Sequence, residues 1–279
     1  MGSSTFGSWR ASLASLLVLL ALAAVAQELG VALDKAAFKD ANIACYSKKL
    51  TFEKDTSELF NDAQLYGLAQ RAYEEMKSRF AADHMHRMMQ PAMMGAMSVG
   101  KDIYLSSSLR GGPFLYTYAD GSSKPEVVLA LDRCQTALQQ NSDRPIDKQH
   151  RTDANCAEVV TLHQYYLDKD VSREARKHPP PMRVAAFGKG GATGKTKAQN
   201  PCGGGAAFVD GVVTWGCKQF MAEERITVPK RPRPAAMKLP DPFPAFTGKQ
   251  VSIVCPGLLG PGPDPDPFGT CGSGSCKHG

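Results

Sequence analysis

Eleven of the nineteen prolines lie beyond Val228, in the last 51 residues of the chain. Proline lacks an amide hydrogen and has a fixed φ, so it is excluded from helix interiors and from the middle of a sheet. We therefore predict an extended Pro/Gly-rich C-terminal tail over residues 228–279, with Val251 to Val254 as its one segment of structured appearance. The folded domain must then lie before residue 228.

The first 26 residues have the pattern of a signal peptide. Arg10 precedes an apolar run from Leu13 to Val25, which is too short to span a bilayer. The run ends in Ala-Val-Ala, the small residues that a signal peptidase requires, so residue 27 is predicted to begin the mature chain. No later stretch reaches the roughly 18 apolar residues of a membrane helix. We expect a secreted, extracellular protein with no membrane partner.

Between residues 27 and 227, segments with the apolar period of a helix alternate with segments typical of strands. The patterns predict helices over 55–80, 125–141 and 153–168, and strands over 99–107, 114–118 and 183–187. Because strands separated by helices favour a layered α/β domain, we predict one domain over 27–227 whose mixed sheet is flanked by helices. The net charge of +6 is scattered along the chain, so composition alone does not indicate a nucleic-acid-binding surface.

All eight cysteines follow the predicted signal peptide, and an even number in an oxidising compartment first indicates disulfide bonds. Cys255, Cys271 and Cys276 lie in the predicted tail, which has no core of its own, so we expect at least one disulfide to hold it. The other five cysteines lie in the predicted domain. For them two interpretations stay open, disulfide bonds or metal ligands.

Three short motifs in the domain carry chemically active residues. Cys156-Ala157-Glu158 begins a predicted helix, Pro201-Cys202-Gly203 follows the last predicted strand, and Cys217-Lys218-Gln219 precedes an apolar pair. Together they resemble the zinc-dependent cytidine deaminase superfamily, in which His/Cys-Ala-Glu opens one helix and Pro-Cys-x-x-Cys opens the next after an intervening strand. The resemblance implies a cytidine deaminase-like fold over roughly residues 98–221.

The same resemblance implies roles for four residues. Cys156, Cys202 and Cys217 would be the ligands of a Zn²⁺ cofactor, which lowers the pKa of a water molecule in its open coordination position. Glu158 would be the catalytic proton shuttle in the hydrolytic deamination of a nucleobase, a nucleoside or single-stranded nucleic acid. Fourteen residues separate Cys202 from Cys217 where the family has two, so a glycine-rich excursion must bring Cys202 back. The ribose-binding pattern Gly-x-Asn-x-Glu is missing at 100–104, so nucleoside specificity is not implied.

Two interpretations from other classes of protein remain open. In the first, Cys202 and Cys217 form a disulfide and Glu158 is a solvated helix residue, which gives a non-catalytic, disulfide-stabilised secreted scaffold or effector on the same fold. In the second, a copper-capturing surface protein uses thioether and imidazole groups, the ligands that Cu(I) prefers. Its candidate ligands form one short segment of His84, Met85, His86, Met88, Met89, Met93, Met94 and Met97.

Two further histidines lie near the Cys156 motif. His163 is on the same predicted helix among apolar residues, and we interpret it as a packed histidine. His150 precedes the helix, and we interpret it as a loop histidine that could line the mouth of the helix.

Overall fold

A computed structural model describes residues 27–254 of the chain, except for residues 113, 118–123, 191–193, 203–207 and 210. The predicted signal peptide and the three tail cysteines lie outside the described residues. No helix in the described part is long and apolar enough to cross a membrane.

Seven strands form one open sheet in which neighbouring strands run antiparallel. The order is β1-β2-β4-β3-β5-β6, and β9 pairs with β2 beside β1. A separate hairpin consists of β7 and β8. The strands are β1 (Ala32–Leu33), β2 (Tyr46–Phe52), β3 (Met93–Val99), β4 (Asp102–Ser107), β5 (Met182–Lys189), β6 (Thr196–Gln199), β7 (Phe208–Val209), β8 (Val212–Val213) and β9 (Phe246–Lys249).

The prediction of a mixed sheet is therefore wrong in one respect. The chain passes through helices between the end of β4 and the start of β5. These two strands run in the same direction, as alternating strands and helices predict. However, β3 lies between them and pairs with both. Because β3 runs the opposite way, each neighbouring pair is antiparallel.

Seven α-helices accompany the sheet: α1 (Lys35–Ala41), α2 (Thr56–Leu59), α3 (Asp62–Ala82), α4 (Glu126–Gln140), α5 (Ala157–Leu167), α6 (Arg173–Lys177) and α7 (Cys217–Glu223). Their packing divides the core in two. Helix α3 packs on one face of the sheet against Met94 and Ala96, whereas α4, α5 and α7 form the core of the other face with Met97 and Val99. The result is a mixed α/β domain with an open antiparallel sheet flanked by helices.

Three predicted elements differ in the structure. The helix predicted over 55–80 is two helices, because Asp55 caps α2 and Asn61 makes a capping box with Gln64 at the start of α3. The strand predicted over 114–118 contains a single 3₁₀ turn at Phe114–Tyr116. The helix predicted from 153 begins at Ala157, because Asp153 and Ala154 have left-handed φ angles of 51° and 57°.

Residues 228–254 of the predicted tail pack against the domain and are not an extended appendage. A 3₁₀ turn at Pro234–Met237 contacts α3, and β9 extends the sheet as an edge strand that contains no proline. The side chains of Val251, Ile253 and Val254 are buried. Asp34 holds this last segment by accepting hydrogen bonds from the Ser252 hydroxyl and the Ile253 amide, at 2.9 and 2.8 Å.

Gly67 of α3 tests this packing. A β-carbon at residue 67 would collide with the main-chain carbonyl of Met237. We expect Gly67→Ala to lower the free energy of unfolding by about 1–3 kcal/mol, the usual cost of overpacking, despite the higher helix propensity of alanine. Urea denaturation measures the change. Ser78→Ala, at an exposed position of the same helix, is the control and should stay within about 0.5 kcal/mol of the wild type. Equal stability of Gly67→Ala and the control would contradict the packing of 234–237 on α3.

Candidate metal centre

Four potential metal ligands meet on the sheet face that carries α5 and α7. One donor atom each from His150, Cys156, Cys202 and Cys217 lies within 4.8 Å of the others. Cys156 is the N-cap of α5 and Cys217 is the first residue of α7. Cys202 follows β6, and His150 lies in the irregular segment between α4 and α5. The structure thus brings the three sequence-predicted ligands together and adds a fourth.

Two glycines let the backbone pack closely at this site. A β-carbon on Gly95 of β3 would lie 3.1 Å from the Ala157 carbonyl, so the glycine allows the first turn of α5 to rest on the sheet. A β-carbon on Gly216 would lie 2.8 Å from the Cys202 sulfur. Both glycines make room that another side chain would fill, and the second directly adjoins a ligand sulfur.

Hydrogen bonds hold Cys202 beside α7 despite its distance in sequence. The Cys217 amide donates to the Cys202 sulfur at 3.2 Å, and the Lys218 amide donates to the Cys202 carbonyl at 2.9 Å. These bonds occupy main-chain donors that the first turn of a helix leaves without helical partners. The return of Cys202 to Cys217 agrees with the expectation from the long spacing, although residues 203–207 of the intervening segment lie outside the described residues.

His150 is the functional candidate that sequence reasoning missed. Its Nε2 lies 3.7 Å from the Cys202 sulfur, and the residue is buried. The imidazole packs edge to face on Trp215 with a centroid distance of 5.3 Å, and the His150 amide donates to the Tyr116 hydroxyl at 2.9 Å. Neither partner is close in sequence. The only sequence signal is the position of His150 six residues before Cys156, which matches no common ligand spacing.

Glu158 is buried at the same site, with only 5% of its surface exposed. Its Oε2 lies 3.9 Å from the Cys217 sulfur. Burial raises the pKa of Glu158 to about 7, because desolvation disfavours the charged carboxylate. The interpretation of Glu158 as a solvated helix residue is therefore wrong.

The three thiols of the cluster differ in pKa. Hydrogen bonds from Cys156 and Cys217 lower the pKa of Cys202, since they stabilise its thiolate. The same contact with Cys202 raises the pKa of Cys156, and burial raises that of Cys217. Without a cation, the cluster therefore holds one thiolate and two neutral thiols. Three thiolates would repel one another unless a cation lay among them, so a metal ion would bind here with release of the remaining protons.

None of the described cysteines forms a disulfide. The sulfurs of Cys156 and Cys202 are separated by 3.4 Å, whereas a disulfide bond is about 2.05 Å long. Cys45 and Cys134 are buried elsewhere in the domain, and burial raises the pKa of each to about 12. The disulfide between Cys202 and Cys217 that the scaffold interpretation required is therefore not formed.

The methionines of the copper interpretation do not all lie together. Met94 and Met97 lie on opposite faces of the sheet, in separate cores, and Met88 is exposed. Met97 is therefore separated from Met94 by the sheet. His163 is packed inside the domain, where its Nε2 contacts the Ile253 carbonyl at 2.9 Å and burial lowers its pKa to about 4.

No protein-family model matches this chain, and comparison with curated proteins and with solved structures also gave no match. The resemblance to the cytidine deaminase superfamily therefore depends on the sequence motifs alone. The structure itself contributes a cluster of one histidine and three cysteines that could bind a metal ion, on the helix-covered face of an antiparallel sheet.

Proposed function

We propose that the protein is a secreted, zinc-dependent hydrolase of the deaminase type. Cys156, Cys202 and Cys217 hold the metal, and Glu158 transfers protons. The observation that carries this proposal is the burial of the Glu158 carboxyl group against the thiol cluster. Among the described residues, no Lys, Arg or His side chain forms an ion pair with it. A buried acid without such a partner costs stability, so its presence beside a metal-binding cluster favours a role in chemistry.

The donor set supports zinc over other ions. Thiolate and imidazole are the usual ligands of Zn²⁺, whereas Mg²⁺ and Ca²⁺ prefer oxygen. The distances of 3.4 Å between two sulfurs and 3.7 Å between sulfur and imidazole nitrogen lie within a few tenths of an ångström of those in a tetrahedral zinc site, about 3.8 and about 3.5 Å. In such a site zinc supplies an acidified water molecule for hydrolysis.

The order of the elements supports the deaminase type. Helix α5 begins directly after Cys156, strand β5 follows, and α7 begins at Cys217. This is the order of ligand helix, strand and ligand helix that the resemblance implies. Glu158 lies in the first turn of α5 with its carboxyl group turned towards Cys217, so it can reach the metal site without being one of the four clustered donors.

The proposed reaction is the hydrolytic loss of ammonia from an amidine carbon, as in cytosine or adenine. In it Glu158 carries a first proton from water to the ring nitrogen as the C–O bond forms. It then carries a second proton, from the new C–OH group, to the amine, so that the carbon becomes a carbonyl as the C–N bond breaks and ammonia leaves. Free nucleobases, nucleosides and single-stranded nucleic acid are the substrate classes that this chemistry covers.

Glu158→Gln tests the proposal. Glutamine keeps the size and hydrogen-bonding capacity of the side chain but cannot accept the proton, so we expect ammonia release to fall at least about a hundredfold with the zinc content unchanged. The assay uses zinc-loaded protein with cytosine, adenine, their nucleosides and single-stranded oligonucleotides. Glu53 is exposed in the bend after β2 and is distant from Glu158 in sequence. Glu53→Gln is the matched control and should release ammonia at the wild-type rate. No release by the zinc-loaded wild type from any of these substrates would refute the proposed reaction.

A second candidate is favoured by His150. If all four clustered donors bind the metal at once, the site is of the closed kind that stabilises proteins without catalysis. The protein would then be a non-catalytic secreted scaffold held together by metal. In that case the zinc-loaded wild type would release no ammonia, and Glu158→Gln would change only the free energy of unfolding.

A further inference from the structure

Thr152 connects two of the four clustered residues. Its hydroxyl oxygen lies 3.1 Å from Nδ1 of His150 and 2.9 Å from the sulfur of Cys156. A hydroxyl group can accept one hydrogen bond and donate another, so it can accept from the Nδ1–H group while donating to the sulfur. The Thr152 amide also points at Nδ1, at 3.4 Å, and this contact favours the tautomer with its hydrogen on Nε2. A metal ion at Nε2, which faces Cys202, would select the other tautomer, in which Nδ1–H donates to the Thr152 hydroxyl. Histidine ligands of metals are commonly oriented by such a contact at their other nitrogen.

The main chain and Trp215 fix the position of His150. The Arg151 amide donates to the Trp215 carbonyl at 3.0 Å, and the ring of Trp215 packs against the His150 imidazole. Trp215 is two residues before Cys217. The segment that supplies one ligand therefore also positions the histidine, and the imidazole cannot turn away without disturbing these contacts.

Two cavities on the described surface, with volumes of about 770 and 580 Å³, have none of the four clustered residues in their lining. Thr152 contacts both His150 and Cys156, and the Arg151 side chain lies beside Gly216, next to the Cys202 sulfur. Both residues belong to the same segment as His150, so this segment borders the cluster.

We propose that His150 is the fourth metal ligand, held in its ligating orientation by Thr152, so that the metal site is closed in the resting protein. The consequence of this closed site for catalysis rests on the proposed function. Water would reach the metal only when the His150 imidazole dissociates from it. Among the four donors, exchange of the neutral imidazole for water conserves the charge of the site, whereas loss of a thiolate does not.

X-ray absorption at the zinc edge tests the ligation without any substrate. We expect the zinc-loaded wild type to show three sulfur ligands and one nitrogen ligand with outer-shell scattering from imidazole. His150→Ala should keep the three sulfurs, lose the imidazole scattering and bind zinc at least about tenfold more weakly. His178→Ala, which removes an exposed histidine at the end of α6, is the control and should change neither result. Imidazole scattering that is absent from the wild type, or retained in His150→Ala, would overturn the proposal.

Thr152 variants keep the proposal testable if His150→Ala fails to fold. Thr152→Val removes the hydroxyl but keeps the shape, so we expect zinc affinity to fall about tenfold, whereas Thr152→Ser should restore it. Equal zinc affinity of both variants would show that the hydroxyl does not orient His150.

Azide binding to the cobalt-loaded protein measures whether the site is closed. Azide should change the visible spectrum of His150→Ala at concentrations that leave the wild type unchanged, because only the variant offers an open position. If azide changes the spectra of the two proteins at the same concentration, the proposal that His150 closes the metal site is wrong. If neither protein releases ammonia, the proposed reaction fails, while the absorption and azide experiments still decide the role of His150.

Discussion

Asp168→Ala is expected to lower the free energy of unfolding by about 3–5 kcal/mol, because it leaves a buried ammonium group without its main partner. Asp168 caps the C-terminal end of α5 and is 1% exposed, and the Lys49 side chain of β2 is 4% exposed. The carboxylate accepts hydrogen bonds from Lys49 at 2.7 Å, Lys249 at 2.6 Å and the Tyr104 hydroxyl at 2.7 Å. These contacts join α5, β2, β4 and β9.

Asp170→Ala is the matched control for this prediction. Asp170 also contacts Lys249, at 2.6 Å, but its side chain is 63% exposed. Solvent screens such a pair, so we expect a loss of at most about 1 kcal/mol. Urea denaturation of both variants measures the two effects. A loss below 1 kcal/mol for Asp168→Ala would mean that the buried ion pair does not stabilise the sheet.

Acid should weaken this cluster over a defined pH range. Burial alone would raise the pKa of Asp168, but hydrogen bonds from Lys249, Lys49 and Tyr104 outweigh it and lower the pKa from 3.8 to about 2. The ionised carboxylate therefore stabilises the folded protein above pH 4, and about 2 kcal/mol of this contribution is lost as the pH falls from about 4 to about 2. The stability difference between the wild type and Asp168→Ala should narrow over the same range.

Cys217→Ser is expected to weaken zinc binding by about a hundredfold or more. The apparent free energy of zinc binding to a structural site is about 10–16 kcal/mol, so an equal share for one of four ligands is about 2.5–4 kcal/mol. Serine has nearly the size of cysteine, but its hydroxyl is not a thiolate ligand. The variant should differ from Glu158→Gln, which keeps the metal. Competition with a chromophoric chelator measures the affinity.

Cys134→Ser is the control for this experiment. Cys134 is buried in the core of the same domain but is not one of the four clustered residues. We expect it to bind one zinc ion with wild-type affinity even if its stability falls. Wild-type affinity of Cys217→Ser would contradict a metal site at the cluster.

Elements with strong local signals could be predicted from the sequence. Helix α4 matches its prediction because proline precedes its first turn and its apolar stripe is regular. Strand β5 contains the predicted segment 183–187, because a short apolar run that ends at a glycine favours a buried strand over other secondary structures. The start of α3 was misplaced because two capping signals, Asp55 and Asn61, lie close together and each begins its own helix.

The long-range part of the site could not be predicted in the same way. The motifs indicated three ligands, since each belongs to a recognisable pattern at a helix start or after a strand. His150 has no such pattern, and it reaches the cluster only through contacts with Tyr116 and Trp215, which are distant in sequence. The burial of Glu158 was equally hidden, because each residue of α5 is buried and the helix has no solvated face whose period would reveal the carboxylate.

Strand β9 has a consequence for the order in which the protein folds. Lys49 of β2 pairs with Lys249 of β9, about 200 residues later in the chain. During synthesis from the amino terminus, that part of the outer edge of β2 stays unpaired until the segment at 246–249 has left the ribosome. Pairing between such distant residues forms slowly, and unpaired edges promote aggregation in the meantime. Completion of the sheet is therefore a late step in the folding of this domain, and this part of the β2 edge is exposed to pairing with other chains until then.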